Sequence, residues 1–455
     1  LSLPNRFGGY GTYARLGYYY NAIALNSSLR NKFRKIWQSE FFRNAATLAT
    51  GTTVAQGISI FTAPILYRIY DREDYGTLGL YMAITGVVGV FSTMQYLQVI
   101  LLEKEDADAK AAMWLNRVIN LAITFFVTLG IIFFNQPVAS LLNNGAIDFW
   151  IYFIPVSIFF SAQNDIFRIW ANRKKRYRLL TINALIMAIL VPLISISYGL
   201  LVGGFAEGLF LGLLASHIIP SFILFFRLNR DYDLGFNSCN WQAVEALAKQ
   251  YIGFPKYSMP ANFINQFSNQ LPVFMLSTYA GAGAVGVYNL TVRVLGIPIN
   301  LISSAFGEVF RQRASEDYYK LGNCISIFRK TLKTLLAISI LPFTLLAFLG
   351  PALFAFVFGA EWREAGEYAQ VLAFLYLLRM IVRPLTYTFF IYQKQREDFI
   401  WHLWMLGSNL AIFFLGFEFW ELEVIWVLGL FAVNYSLIYL IYLGRSYRFA
   451  QGQQH

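Results

Sequence analysis

Apolar stretches of about 20 residues or more recur from residue 45 to residue 443, and they fix the class of structure this chain can adopt. Twenty residues at about 1.5 Å each cross about 30 Å of hydrocarbon as a helix. Twelve such spans can be read, at roughly 45–67, 76–101, 113–134, 149–168, 179–202, 205–227, 256–279, 283–308, 324–348, 367–392, 399–417 and 422–443. Backbone polar groups in lipid must be satisfied within the segment, so the spans are expected to be helices. No period-2 alternation runs through them, which argues against a transmembrane barrel. Composition agrees. Hydrophobic residues make up 57% of the 455 and charged residues 13%, about half the charged share of a soluble domain. The expected fold is an all-α polytopic membrane protein.

The distribution of Lys and Arg gives an orientation. With the N-terminus inside, the internal segments hold 28 of these residues, and the external loops hold only Arg68, Arg72 and Arg363. This bias places both termini on the cytoplasmic side. It also explains the net charge of +11 without nucleic acid, which is not an expected partner. The external loops reach at most about 19 residues, too short for a folded domain. Residues 29–42 read as an interfacial helix, with Leu29, Phe33, Ile36 and Trp37 on one face and Arg30, Lys32, Arg34 and Lys35 near lipid headgroups. No cleavable signal peptide is read in the first 44 residues. Residues 1–28 are Gly/Tyr-rich and precede the first methionine, Met82. They read as an extended gene start.

A polar loop at 228–250 divides the spans six and six. The resulting organisation is a cytoplasmic segment (1–44), a six-helix lobe (45–227), a linker (228–250), a second six-helix lobe (251–443) and a tail (444–455). Pro64-Ile-Leu-Tyr followed by Gly79-Leu-Tyr81 matches Pro272-Val-Phe-Met followed by Gly286-Val-Tyr288, about 208 residues on. Six spans per half keep both copies in one orientation. The expected relation is therefore a parallel repeat about an axis along the membrane normal.

Charge within the spans points to function. An Arg at a helix centre costs about 2.5–3.5 kcal/mol on insertion scales, so it persists where it faces water or a partner. Arg293 lies about ten residues into span 8 and Arg379 about twelve into span 10, with Arg383 one turn further on the same face. No deep carboxylate lies near them in sequence; Glu308 and Asp165 come nearest. Unbalanced guanidinium groups suit an anionic ligand, and their planar fork suits phosphate. Lys256 and Arg117, near cytoplasmic span ends, extend this candidate site, although snorkelling also accounts for them. Ser258, Asn262, Asn265 and Asn269 form a polar stripe on span 7, answered on span 8 by Asn289, Arg293, Gly296 and Asn300. Interhelical hydrogen bonding explains such stripes equally well. As a cavity wall, Asn262, Asn269 and Asn289 would meet sugar hydroxyls. Asp165 reads either as a partner for Arg168 or as a proton or sodium ligand.

Other motifs carry less. Gly281-Ala-Gly-Ala-Val-Gly286 matches a dinucleotide fingerprint but falls in an external turn with no strand before it. Cys239 and Cys324 fall in internal segments, where a disulfide is not expected, and three scattered histidines make no metal site. No Walker A, HExxH or GxSxG sequence appears, so no cofactor is expected. Any coupling to a proton or sodium gradient, to potential or to mass action stays open.

Two longer blocks resemble a known family. The first runs Ser39-Glu-Phe-Phe-Arg-Asn-Ala-Ala-Thr-Leu-Ala-Thr-Gly-Thr-Thr-Val-Ala-Gln56 and on to Pro64-Ile-Leu-Tyr-Arg-Ile-Tyr-Asp-Arg-Glu-Asp-Tyr-Gly76. The second is Phe254-Pro-Lys-Tyr-Ser-Met-Pro-Ala-Asn262, continuing through Gln270-Leu-Pro-Val, Gly286-Val-Tyr288 and Arg293-Val-Leu-Gly-Ile-Pro298. Over about residues 39–445 the chain resembles the O-antigen-type (Wzx-like) polysaccharide flippases, of the superfamily that includes the multidrug and toxin extrusion transporters. The resemblance implies twelve helices in two six-helix lobes around a cationic cavity that opens alternately to either side. It implies an undecaprenyl-pyrophosphate-linked glycan as substrate, the bacterial cytoplasmic membrane as location, and a polysaccharide polymerase and export machinery as candidate partners. Arg293 falls on the family's span-8 position and Lys256 in its Pro-Lys-Tyr motif. The family often shows Arg-Tyr-Glu after span 2, whereas this chain reads Gln95-Tyr-Leu-Gln98. This departure argues against coupling of transport through a span-2 carboxylate. Two other readings remain. A cation-coupled exporter of drugs or metabolites should carry deep carboxylates. A membrane-embedded enzyme should carry a large external loop or an intramembrane His/Asp pair, and His217 stands alone in span 6.

Overall fold

The structure, a computed structural model, describes residues 40–141, 144–235, 240–392 and 394–452. The interfacial helix read at 29–42 lies almost wholly outside them, as does Cys239. Among the described residues there are helices and no strands. The main helices are α1 (Glu40–Ile69), α2 (Arg72–Gly89), α3 (Asp106–Leu141), α4 (Ile154–Arg173), α5 (Tyr177–Leu201), α6 (Ala206–Tyr232), α7 (Trp241–Gln250), α8 (Met259–Pro298), α9 (Ser304–Leu321), α10 (Ile325–Phe358), α11 (Arg363–Leu385), α12 (Gln395–Phe414) and α13 (Val424–Ala450).

Seven described segments are long and apolar enough to cross a membrane. One of them, Phe254–Leu321, runs 68 residues, about 100 Å if it were straight. It is not straight. Gly281 adopts φ 80° and ψ −179° inside α8 and turns the chain between two helical runs. That left-handed conformation is open to glycine without a Cβ penalty. The sequence reading placed all of 281–286 in a turn. Only Gly281 turns; Gly283 and Gly286 lie in the helix that follows. Helices α1, α2, α4 and α12 are not among the seven segments. Gln56 and Ser59 on α1 and Arg168 on α4 line an internal cavity, and polar wall residues lower a helix's mean hydropathy.

Span 2 departs from the uninterrupted helix expected over 76–101. Helix α2 stops at Gly89, and a single helical turn resumes at Val99–Leu102. Between them Met94 and Gln95 both take positive φ, 47° and 63°. Side chains rarely occupy that region, so tertiary packing holds the break. The Tyr96 hydroxyl donates to the Ala248 carbonyl of α7 at 2.8 Å. Arg173 closes the other side, donating to the carbonyls of Ile100 at 3.1 Å and Lys104 at 2.9 Å and to the Asp106 carboxylate. One guanidinium thus satisfies carbonyls that the interrupted helix leaves without donors. Lys174 joins the same carboxylate. Pro155 sits in the first turn of α4, where its missing N–H costs nothing.

Two apolar clusters organise the packing. The smaller one joins α3, α4 and α6 to the amphipathic α7 through Trp114, Phe167, Leu228, Val244 and Leu247. Helix α7 therefore docks on the N-terminal half. The larger cluster draws on both halves. Its closest approach is the crossing of α2 with the second run of α8, which Gly76 and Gly286 permit. A Cβ on Gly76 would lie 1.7 Å from the Ala282 carbonyl oxygen, and one on Gly286 1.9 Å from the Arg72 carbonyl oxygen. Small residues let membrane helices touch in this way. Large apolar side chains such as Phe126, Phe133, Leu201, Leu341 and Phe348 are exposed, as expected of surface that faces lipid.

Gly76→Ala and Gly286→Ala should each destabilise the protein by about 1–3 kcal/mol, because backbone must move to admit the methyl. Gly57 has nothing within 4 Å of its Cβ position, so Gly57→Ala should be neutral or slightly stabilising. Thermal unfolding of the purified protein in one detergent compares the three.

Candidate functional site

Between the halves lies a cavity of about 1160 Å³. Helices α1, α4, α5 and α6 line one side, and α8, α10 and α11 the other. Four guanidinium groups reach its wall: Arg293 from α8, Arg379 and Arg383 from α11, and Arg168 from α4. No Asp or Glu lines it among the described residues. Neutral polar groups do, including Gln56, Ser59, Asn183, Ser216, His217 and Asn300, while Met187, Val191, Leu346 and Phe354 supply apolar surface.

The C-terminal wall is rigidly built. Gly350 and Gly366 bring α10 against α11, since a Cβ on Gly366 would lie 2.5 Å from Pro351 Cα. The Thr291 hydroxyl, two residues before Arg293, donates to the Ala365 carbonyl of α11 at 2.8 Å. Arg293 and the Arg379/Arg383 pair are thereby held on two tied helices. Arg379 is half-buried. It donates to Asn269 Oδ1 at 3.4 Å and lies 5.6 Å from the centre of the Tyr376 ring. Tyr288, Tyr435 and Tyr439 complete a neutral cage beside it. Arg293 and Arg383 are exposed to the cavity. Among the described residues none of these three makes an ion pair.

The remaining sequence candidates lie elsewhere. Asn269 sits behind the wall, holding Arg379 and donating to the Asn265 carbonyl at 2.8 Å. Asn289 lies at the α2–α8 crossing and not among the residues lining the cavity: its amide nitrogen stands 1.8 Å from where a Cβ on Gly79 would be. Arg117 lies 4.1 Å from the centre of the Trp114 ring and donates to the Leu234 carbonyl at 3.3 Å. That is the packing of the smaller apolar cluster. Lys256 is exposed in a one-turn π-helical segment over Tyr257, and Asn262 is exposed a turn and a half later; neither lines the cavity. Asn289 and Arg117 looked like wall residues because sequence spacing gives depth along a helix but not the direction a side chain faces. Arg168 was read only as the partner of Asp165. That pairing is present, Nη1 to Oδ1 at 3.0 Å, but Arg168 also reaches the cavity, which only the packing of α4 reveals. No group of three or more metal-ligating side chains occurs among the described residues.

One end of the cavity is sealed by contacts between the halves. Tyr67 stacks on Tyr75 with centroids 4.0 Å apart, and the Trp362 ring stands edge-on to Tyr67 at 4.7 Å. Trp362 Nε1 donates to the Tyr67 carbonyl at 2.6 Å, Arg68 donates to the Phe356 carbonyl at 2.8 Å, and Arg72 pairs with Glu364 at 2.9 Å. The indole is only 1% exposed, whereas the ion pair is 47% and 40% exposed. Trp362→Ala should therefore cost about 3–5 kcal/mol in thermal stability. Arg72→Gln should cost about 1 kcal/mol or less, and unfolding midpoints of the two variants measure the contrast.

Comparison with known proteins places this geometry. The family described as "polysaccharide biosynthesis protein" matches residues 65–367, about two thirds of the chain. The succinoglycan biosynthesis transport protein ExoT of Rhizobium meliloti (strain 1021) is 25% identical over 370 residues, covering 77% of this chain and 68% of that protein. Among solved structures, the lipid II flippase MurJ in an inward closed conformation superposes with a TM-score of 0.70 at 14% identity, covering 89% of this chain and 90% of its own. An outward-facing multidrug resistance MATE family transporter superposes with a TM-score of 0.55 at 13% identity, covering 92% and 98%.

Proposed function

The chain belongs to the polysaccharide biosynthesis protein family, and we propose that it is a flippase for a prenyl-diphosphate-linked oligosaccharide. It would work in the bacterial cytoplasmic membrane, with undecaprenyl diphosphate as the lipid carrier and surface polysaccharide as the end product. The observation that carries this reading is the wall of Arg293, Arg379 and Arg383, free of carboxylate partners, in a cavity between two halves of a membrane bundle. Each guanidinium can offer two parallel donors to a phosphate oxygen pair. The diphosphate lies against this wall, the neutral polar groups of the same cavity meet the glycan, and the prenyl tail stays in the bilayer. Cargo of positive charge is disfavoured, because the described wall carries no acidic side chain to hold it. The transport neighbours named above support a transporter over an enzyme.

In this proposal the protein crosses the membrane twelve times, with both termini in the cytoplasm. The long run divided at Gly281 supplies two crossings, and helices α1, α2, α4 and α12 supply the polar-lined ones outside the seven apolar segments. Six crossings fall on each side of α7. The Arg72–Glu364 end is external, so the sealed structure faces inward, and exchange of that seal for one at the cytoplasmic end moves the cargo. The seal is small enough to open. It consists of one aromatic cluster, a few hydrogen bonds and a half-exposed ion pair, and loaded cargo need only favour the other state.

Reconstituted protein should move a fluorescent prenyl-diphosphate oligosaccharide between the leaflets of liposomes. Hydrogen bonds to charged groups contribute about 1.5–3 kcal/mol each, so Arg293→Ala, Arg379→Ala and Arg383→Ala should each slow movement about tenfold or more in folded protein. Movement that survives all three would make these arginines structural. No movement of any glycan tested, with uptake of an organic cation, would overturn the reading.

A further inference from the structure

The flippase reading uses three arginines of the C-terminal half and leaves the fourth unexplained. Arg168 is the guanidinium that the N-terminal half brings to the cavity wall. Among the described residues it is also the only wall arginine with a carboxylate partner. Asp165, one turn earlier on α4, accepts from Arg168 Nη1 at 3.0 Å, and both side chains are 50% exposed. Resting on the flippase reading, we infer that Arg168 and Asp165 form a releasable diphosphate contact: Asp165 holds Arg168 in the empty cavity, and a ligand phosphate displaces it on loading.

Three observations lead here. First, the charges are unevenly placed. The C-terminal wall carries three guanidinium groups without ion pairs, and the facing half carries one that is neutralised. An unpaired Arg168 would add repulsion between the two halves of an empty cavity, and Asp165 removes it. Second, the pair is weak by construction. An exposed ion pair within one helix contributes little, whereas a phosphate oxygen makes a stronger charge-assisted bond to a guanidinium. Exchange of one acceptor for the other is therefore favourable once a phosphate is near. Third, a diphosphate has two anionic groups. One can rest on Arg293, Arg379 and Arg383 while the other takes Arg168 from the opposite half. A ligand gripped from both halves binds best when they close around it, which is the differential affinity that a loading-dependent transition requires. Asp165 is then a positioning residue, acting on the ligand through Arg168.

The test is a double-mutant cycle on the full chain in nanodiscs, titrated with farnesyl diphosphate and with farnesyl monophosphate. Asp165→Asn should tighten diphosphate binding, about twofold to fivefold, because the internal competitor is gone. Arg168→Gln should weaken it about fivefold or more and shrink the preference for diphosphate over monophosphate. Arg293→Ala should weaken both ligands. The double variant should match Arg168→Gln, since Asp165 acts only through its partner. Asp165→Glu keeps the charge and should restore wild-type affinity, which separates loss of the contact from loss of the fold.

Tightening by Asp165→Asn that persists in the Arg168→Gln background would overturn the inference, because Asp165 would then act as a general negative field. Weakening by Asp165→Asn in both backgrounds would overturn it as well, leaving the pair structural. Either result, with wild type still binding diphosphate through Arg293, leaves the flippase reading standing. If neither wild type nor any variant binds diphosphate, the flippase reading fails at its diphosphate and the inference falls with it.

Discussion

Arg293, Arg379 and Arg383 must remain charged within apolar membrane segments, and much of the bundle follows from that requirement. A guanidinium facing hydrocarbon is costly; one facing a cavity of about 1160 Å³ keeps its solvation. The cavity needs a second wall, which the N-terminal half supplies. The two halves need a point of close contact that leaves the space open, and Gly76 and Gly286 supply it at the α2–α8 crossing. Arg379 needs neighbours that satisfy it without neutralising it. The tyrosines around it and Asn269 are uncharged. A carboxylate in that cage would have produced a stable ion pair and an inert wall.

The class of fold and the depth of the key charges could be read from the sequence because both depend on distance along a helix. A run of about 20 apolar residues announces a crossing, and ten residues into such a run is its middle. What the sequence did not show depends on direction around the helix and on partners distant in the chain. Asn289 looks like a wall residue from its spacing, yet it points into the glycine crossing. Arg117 looks like a site residue from its charge, yet it lies on aromatic rings beside the linker. Arg168 looks like a surface residue near a span end, yet α4 is turned so that it meets the cavity. The break in span 2 was also hidden, since Met94 and Gln95 are held in left-handed conformations by α7 and Arg173 rather than by local preference. Gly79 and Gly286 were visible as a repeat, but that both lie at one helix crossing, with Gly76 beside them, required the partner helix.

The division of labour between the halves follows from these placements. The C-terminal half carries most of the charge on two tied helices. The N-terminal half carries the neutral polar face, one restrained arginine, and the inner apolar cluster on which α7 docks. The sealed end joins the halves by contacts of unequal strength, with a buried indole supplying most of the closure and the exposed ion pair its register. In the proposed cycle a bundle built this way sets an anion-facing wall on one half against a largely neutral polar face on the other, and relative movement of the halves carries the charged headgroup past the apolar core.

The central claim is that the three-arginine wall receives the diphosphate of a lipid-linked glycan. It is tested most directly by determining the structure of the protein in nanodiscs with a prenyl-diphosphate oligosaccharide bound. The account predicts the diphosphate within hydrogen-bonding distance of Arg293, Arg379 and Arg383, with the glycan inside the cavity and the tail leaving toward lipid. A diphosphate bound at the protein surface, or a cavity filled by ligand whose phosphates avoid these guanidinium groups, would contradict it.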